Sequence, residues 1–122
     1  VEGQSGYAQS VRAGRHRLTS DEPAAQGGTD TGPAPYGLLM ASLGACTSIT
    51  LRMYADRKGW KLGTVNVELK HFKSDEGERC ERVLAFSEPL TDEQKQQLLE
   101  YAGKTPVTRT LLRAFPIETR LG

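Results

Sequence analysis

The chain is organised around residues 35–59, PYGLLMASLGACTSITLRMYADRKG, which read as one long helix with a single cysteine, Cys46, near its middle. From Leu38 to Leu51, fourteen consecutive residues carry no charge, and the apolar ones (Leu38, Leu39, Met40, Leu43, Cys46, Ile49, Leu51, with Met53 beyond) fall on nearly every face. A helix that is apolar all round is enclosed by protein or by lipid. Fourteen uncharged residues fall short of the roughly 20 that a membrane span needs, and Ser42, Thr47, Ser48 and Thr50 interrupt them, so a buried core helix is expected. Pro35 suits the first helical position, Arg57 and Lys58 suit the negative end of the helix dipole, and Gly59 suits a left-handed cap.

A single domain is expected from 122 residues, and a central helix in so short a chain needs walls on every side, some of them available from a second copy. Sixteen Lys and Arg against fifteen Asp and Glu leave a net charge of +1, so no whole-molecule field draws the chain to nucleic acid or to an anionic membrane. Cys46 and Cys80 do not form a disulfide framework, and neither has metal-ligand spacing with other Cys or His. No metal or other cofactor is expected. A reducing, cytoplasmic setting is the default for such cysteine usage, and the first residues, VEGQSGYAQS, lack the basic and apolar segments of a signal peptide.

Residues 7–13 and 15–20 alternate about Gly14 as a hairpin, with Arg15 and Arg17 on one face and His16 and Leu18 on the other. Residues 21–34, DEPAAQGGTDTGPA, form a loop rich in turn residues that delivers the chain to the central helix. Loops of this length are often functional. Val65, Val67, Leu69 and His71 alternate with polar neighbours as a half-buried strand does; SDEGE (74–78) supplies a turn and residues 80–86 a return strand. Thr91-Asp92-Glu93-Gln94 is a capping box opening a helix to about Ala102, with Leu98, Leu99 and Ala102 inward. Thr105-Pro106 caps a short helix through Leu112, and residues 115–121 read as a closing edge strand containing Pro116. Trp60 is expected to pack past the helix end, and Met40 and Met53 to fill the core. The order of elements is an α+β pattern.

Cys46 is the main chemical candidate. As a small hydrophobe it would simply pack; as a nucleophile it needs a cation nearby, and Arg15 or Arg17 of the first hairpin are the donors the sequence suggests. The GGTDTG stretch lacks phosphate-loop and dinucleotide spacing, RAGRHR lacks interleaved aromatics, and His16 and His71 are too few for a metal site. Nucleic-acid binding is therefore not expected.

GRHRL (14–18), DEP (21–23), GGTDTGPAPYGLLMASLGACTSITLRMYADRKGW (27–60) and TDEQKQQLLEYAGKTPVTRTL (91–111), in that order, resemble the OsmC/Ohr family of osmotically inducible and organic hydroperoxide resistance proteins. The resemblance implies an α+β fold of hairpins and sheets around a long buried central helix, with two subunits intertwined as a homodimer. It implies a thiol-dependent peroxidase for organic hydroperoxides, with an external thiol as reductant and no membrane or nucleic-acid partner. Cys46 matches the peroxidatic cysteine and Arg15 the arginine that supports it. The family's resolving cysteine belongs in a motif like KCPVHRTL, and here Thr105 and Thr108 stand in place of its cysteine and histidine. Neither Tyr36 nor Gly37 is the acidic residue that members often carry there; Asp21, Glu22 and Asp30 are the loop's candidates to replace it. Cys80 is a further candidate resolving thiol. The alternative reading is an impaired member that binds a hydrophobic small molecule or senses oxidants through Cys46.

Overall fold

In the computed structural model, which describes residues 1–122, the first hairpin turns on Gly14 at φ +60°. Its strands are β2 (Gln9–Ala13) and β3 (His16–Ser20), paired so that Ala13 faces His16, and a two-residue strand β1 (Glu2–Gly3) adds to the outer edge of β2. A glycine at positive φ in the first turn position matches the twist of the flanking strands. Arg15 therefore lies in the two-residue turn and not on a strand face, as the alternation had suggested. The chain then divides into two compact units, residues 1–41 and 42–122, with one helix, α1 (Pro35–Lys58), beginning in the first and continuing in the second.

In the first unit the long loop is tied into a knot by Asp21. Its carboxylate, almost wholly buried, accepts hydrogen bonds from the hydroxyls of Thr29 and Thr31 at 2.7 Å each and from the backbone amides of Glu22, Thr29 and Thr31. These bonds, the threonine hydroxyls first, hold the Asp21 carboxyl well below the usual carboxylate range. The loop closes on itself where Ser20 Oγ and the Asp21 amide both donate to the Pro33 carbonyl. Only glycine fits at 32, because a Cβ there would lie 2.1 Å from the Thr19 carbonyl oxygen.

The second unit holds the rest of α1, the hairpin β4 (Val65–Ser74) and β5 (Gly77–Phe86), and the helices α2 (Asp92–Ala102) and α3 (Pro106–Arg113). The expected alternation is present on β4: Val65, Val67, Leu69 and His71 are half-buried while Asn66, Glu68 and Lys70 are exposed. The turn is tighter than expected, with only Asp75 and Glu76 between the paired Ser74 and Gly77, so β5 starts three residues before Cys80. Thr91 and Gln94 make both halves of the capping box at the start of α2. The core is Leu51 and Ala55 from α1, Leu62 from the connection, and Leu98 and Ala102 from α2. Tyr54, Trp60 and Tyr101 close one side, Tyr54 stacking on Tyr101 at 4.3 Å and meeting Trp60 edge-on at 5.7 Å.

Several expectations are corrected. Within one chain, α1 is covered on one face only: Leu43, Gly44, Thr47, Leu51 and Ala55 are buried, while Leu39, Ile49 and Met53 are exposed, so Met53 is not core filler. By length and composition α1 is also long and apolar enough to cross a membrane, and that covered face packs on protein. Leu99 is exposed, since on α2 it sits beside the buried stripe made by Leu98 and Ala102. Thr105 takes the extended backbone of an N-cap, but its hydroxyl bonds Thr108 and the Ala102 carbonyl in place of a helix amide. Residues 115–121 form no strand. Pro116 lacks an amide donor, no strand of this chain pairs with the segment, and Phe115, Ile117 and Leu121 are exposed.

Candidate functional site

Helix α1 carries Cys46 half-buried in the second unit, its sulfur 3.8 Å from Thr50 Oγ1 one turn on. No disulfide joins Cys46 and Cys80. The next residue, Thr47, is fully buried; its hydroxyl donates to the Leu43 carbonyl at 2.7 Å and accepts from Arg82 Nη1 at 2.9 Å. The same Nη1 donates to Thr108 Oγ1 at 2.8 Å, and Nη2 donates to the Ala102 carbonyl at 2.9 Å. One guanidinium thus joins α1, the C-terminal end of α2, and α3. Thr108 is held in turn by Thr105, hydroxyl to hydroxyl, at 2.7 Å, and both threonines are buried.

Arg82 reaches this position because of register. It lies opposite Leu69 on β4, and the Leu69 side chain occupies the space where α1 has no side chain, within 2.8 Å of where a Cβ of Gly44 would be. The Leu69–Arg82 pair therefore meets α1 at residues 44–47. Burial pulls the Arg82 guanidinium's proton affinity down from its ordinary value. Cys80 is exposed, two residues from Arg82 on the same face of β5, opposite His71; His71 pairs with Glu78.

The other residues named from the sequence fall elsewhere. Arg15 is exposed at the hairpin turn of the first unit, with Arg17 on β3 opposite Arg12. Of the three acidic candidates in the loop, Asp21 is committed to its knot with Thr29 and Thr31, Glu22 is half-buried and Asp30 is exposed. Two open surface depressions, one lined by Glu2, Gln9 and Thr19 and the other by Phe72, Glu78 and Arg79, do not include Cys46. Sequence reasoning missed Arg82. The signal was present as its place in the inward series Phe86, Leu84, Arg82, which puts a cation where the strand pattern calls for an apolar residue.

The family model described as OsmC-like protein matches residues 28–120. The chain belongs to the OsmC-like family. Solved structures agree on the fold of this OsmC-like chain. An OsmC-like protein from Mycoplasma pneumoniae superposes with a TM-score of 0.76 at 17% identity, covering 88% of this chain and 80% of that one. A Psychrobacter arcticus protein, described as a candidate osmotic stress induced and detoxification response protein, gives 0.71 at 16% identity, covering 90% of each chain. A Legionella pneumophila protein described as an organic hydroperoxide resistance protein, OsmC, gives 0.56 at 18% identity, covering 88% of this chain and 89% of that one. No curated protein sequence matches significantly. The α+β architecture of three helices with antiparallel sheets is thus that of the OsmC fold.

Proposed function

We propose that this OsmC-like chain is a thiol-dependent reductase of organic hydroperoxides, acting through Cys46. The observation that carries the reading is a half-buried thiol on the central helix, in no disulfide, one residue before Thr47, which accepts a hydrogen bond from the half-buried Arg82. The Cys46 thiolate attacks the hydroperoxide; the O–O bond breaks, an S–O bond forms, and the departing alkoxide takes a proton to leave as the alcohol. Cys46 becomes a sulfenic acid, the first step of thiol oxidation. An external thiol then condenses with it, releasing water and forming a mixed disulfide, and a second thiol restores Cys46 as the external pair leaves oxidised. Thr105 has no sulfur to offer at the family's resolving position, which favours this external route.

In this reading Arg15 is the second catalytic group, supplied by the first hairpin to polarise the peroxide, as the resemblance implies. The working form is a homodimer in which a second copy covers the exposed Ile49 and Met53 of α1, and the setting is the reducing cytoplasm. The test is turnover of cumene hydroperoxide with dithiothreitol in excess. Many turnovers per chain, abolished in Cys46→Ser, are expected. Consumption of one equivalent or less by the wild type would overturn the reading.

A further inference from the structure

The inward row of the β4–β5 hairpin runs on past the core and ends in groups of a different chemistry. On β4 it reads Val65, Val67, Leu69 and His71, all half-buried; on β5 the half-buried Phe86, Leu84 and Arg82 are followed by Cys80 and Glu78, both exposed. Register sets Cys80 directly opposite His71. Residues directly opposite on antiparallel strands share a face, with their Cβ atoms about 4.5–5.5 Å apart, so thiol and imidazole are within each other's reach. From the turn, Glu78 comes back across the strands to His71, its Oε2 2.5 Å from Nε2. The hairpin thereby brings together a nucleophile, a base and a carboxylate that orients the base.

The carboxylate decides what the ring can do. With the ring proton on the nitrogen that meets Glu78, Nδ1 is the proton acceptor. The His71 side chain keeps only 19% of its surface in solvent while Cys80 is exposed, so the base is sheltered and the sulfur is open to a reagent. The thiol's contact with the Glu81 carbonyl, 3.5 Å from Sγ, is a weak one within its own strand, and the Glu81 carboxylate pairs with Arg79. We propose that Cys80 is a second reactive thiol of this chain, a site of thiol–disulfide exchange with low-molecular-mass disulfides in which His71 is the general base. The Cys80 proton passes to His71, and the Cys80 sulfur attacks one sulfur of the disulfide. The old S–S bond breaks as the new one forms, and the departing thiolate takes the proton from His71 to leave as a thiol. Cys80 ends oxidised in a mixed disulfide, and the released half of the reagent ends reduced. No step involves Cys46, so this inference stands or falls apart from the reading of Cys46.

The test is the rate at which glutathione disulfide forms a mixed disulfide with the Cys46→Ser protein at pH 7, followed by intact mass, in the native state and again in urea. Unfolding exposes the thiol fully but separates it from His71, so a merely accessible cysteine reacts at least as fast unfolded as folded. With His71 as base, the native chain is expected to react about tenfold faster than the unfolded one. His71→Gln should bring the native rate down to the unfolded rate and leave the unfolded rate unchanged, and Glu78→Gln should lose part of the native excess. A native rate no higher than the unfolded one overturns the proposal, as does a His71→Gln protein with native circular dichroism that reacts as fast as its parent. Should His71→Gln not fold, the ratio of native to unfolded rates in the Cys46→Ser protein alone decides.

Discussion

The exposed face of α1 gives the sharpest test of assembly. Cys46, Ile49 and Met53 follow one another at i, i+3 and i+7, so they share a face of the helix, and Ile49 and Met53 each leave 55% of their surface exposed in the single chain. Fully burying an isoleucine or methionine is worth about 1.5–3 kcal/mol, so the uncovered half of each is worth about 0.8–1.6 kcal/mol. A two-fold interface uses every residue twice. Four side chains then contribute about 3–6 kcal/mol to association, or about 10²- to 10⁴-fold in the dimer dissociation constant. The double variant Ile49→Ala/Met53→Ala should lose most of this while the isolated chain keeps its fold, because neither side chain belongs to the Leu51–Leu98 core. Sedimentation equilibrium across a wide concentration range reads the effect directly against the 13.4 kDa chain mass. A wild type that sediments as a monomer throughout, or a double variant with an unchanged dissociation constant, would refute the reasoning.

Two further perturbations probe the two units separately. Leu51→Ala, at a site with no exposure, should cost about 3–4 kcal/mol in urea unfolding, whereas Leu99→Ala, at an exposed site, should stay within about 1 kcal/mol. Asp21 is a group whose folded-state proton affinity is depressed, so the stability it contributes is fully present above about pH 4 and is lost as pH falls below that toward the folded value. Thermal unfolding from pH 7 to pH 2 should therefore show a steeper acid loss in the wild type than in Asp21→Asn, and parallel curves would count against the loop knot.

What could be read from the sequence was set by local chemistry. Pro35 opens α1, Arg57 and Lys58 end it, and Gly59 follows at φ +72°, each doing what its backbone and charge preferences dictate. The capping box at Thr91 and Gln94 needed only a four-residue window. Elements whose fate depends on a partner were read less well. Leu99 fits a helical apolar stripe by spacing, yet the stripe is only as wide as the surface facing it. Residues 115–121 have apolar content enough for a strand, but a strand needs an edge to bond, and none in this chain takes it. The apolar residues around α1 said that every face needs cover; they could not say which cover comes from the same chain.

The candidate site divides in the same way. Cys46 was legible as a candidate because a long uncharged stretch of helix with one thiol is unusual by itself. The placing of Arg82 was not, because strand alternation says which residues face inward but not which helix residue each one meets. That depends on the register of β4 against β5 and on Gly44, whose missing side chain lets Leu69, and with it Arg82, approach α1 at Thr47. Once the register is known, an arginine between Leu84 and Cys80 on the inward face of β5 ceases to be an anomaly of the pattern. It becomes the half-buried charge that the second unit holds against three neutral oxygens, those of Thr47, Thr108 and Ala102.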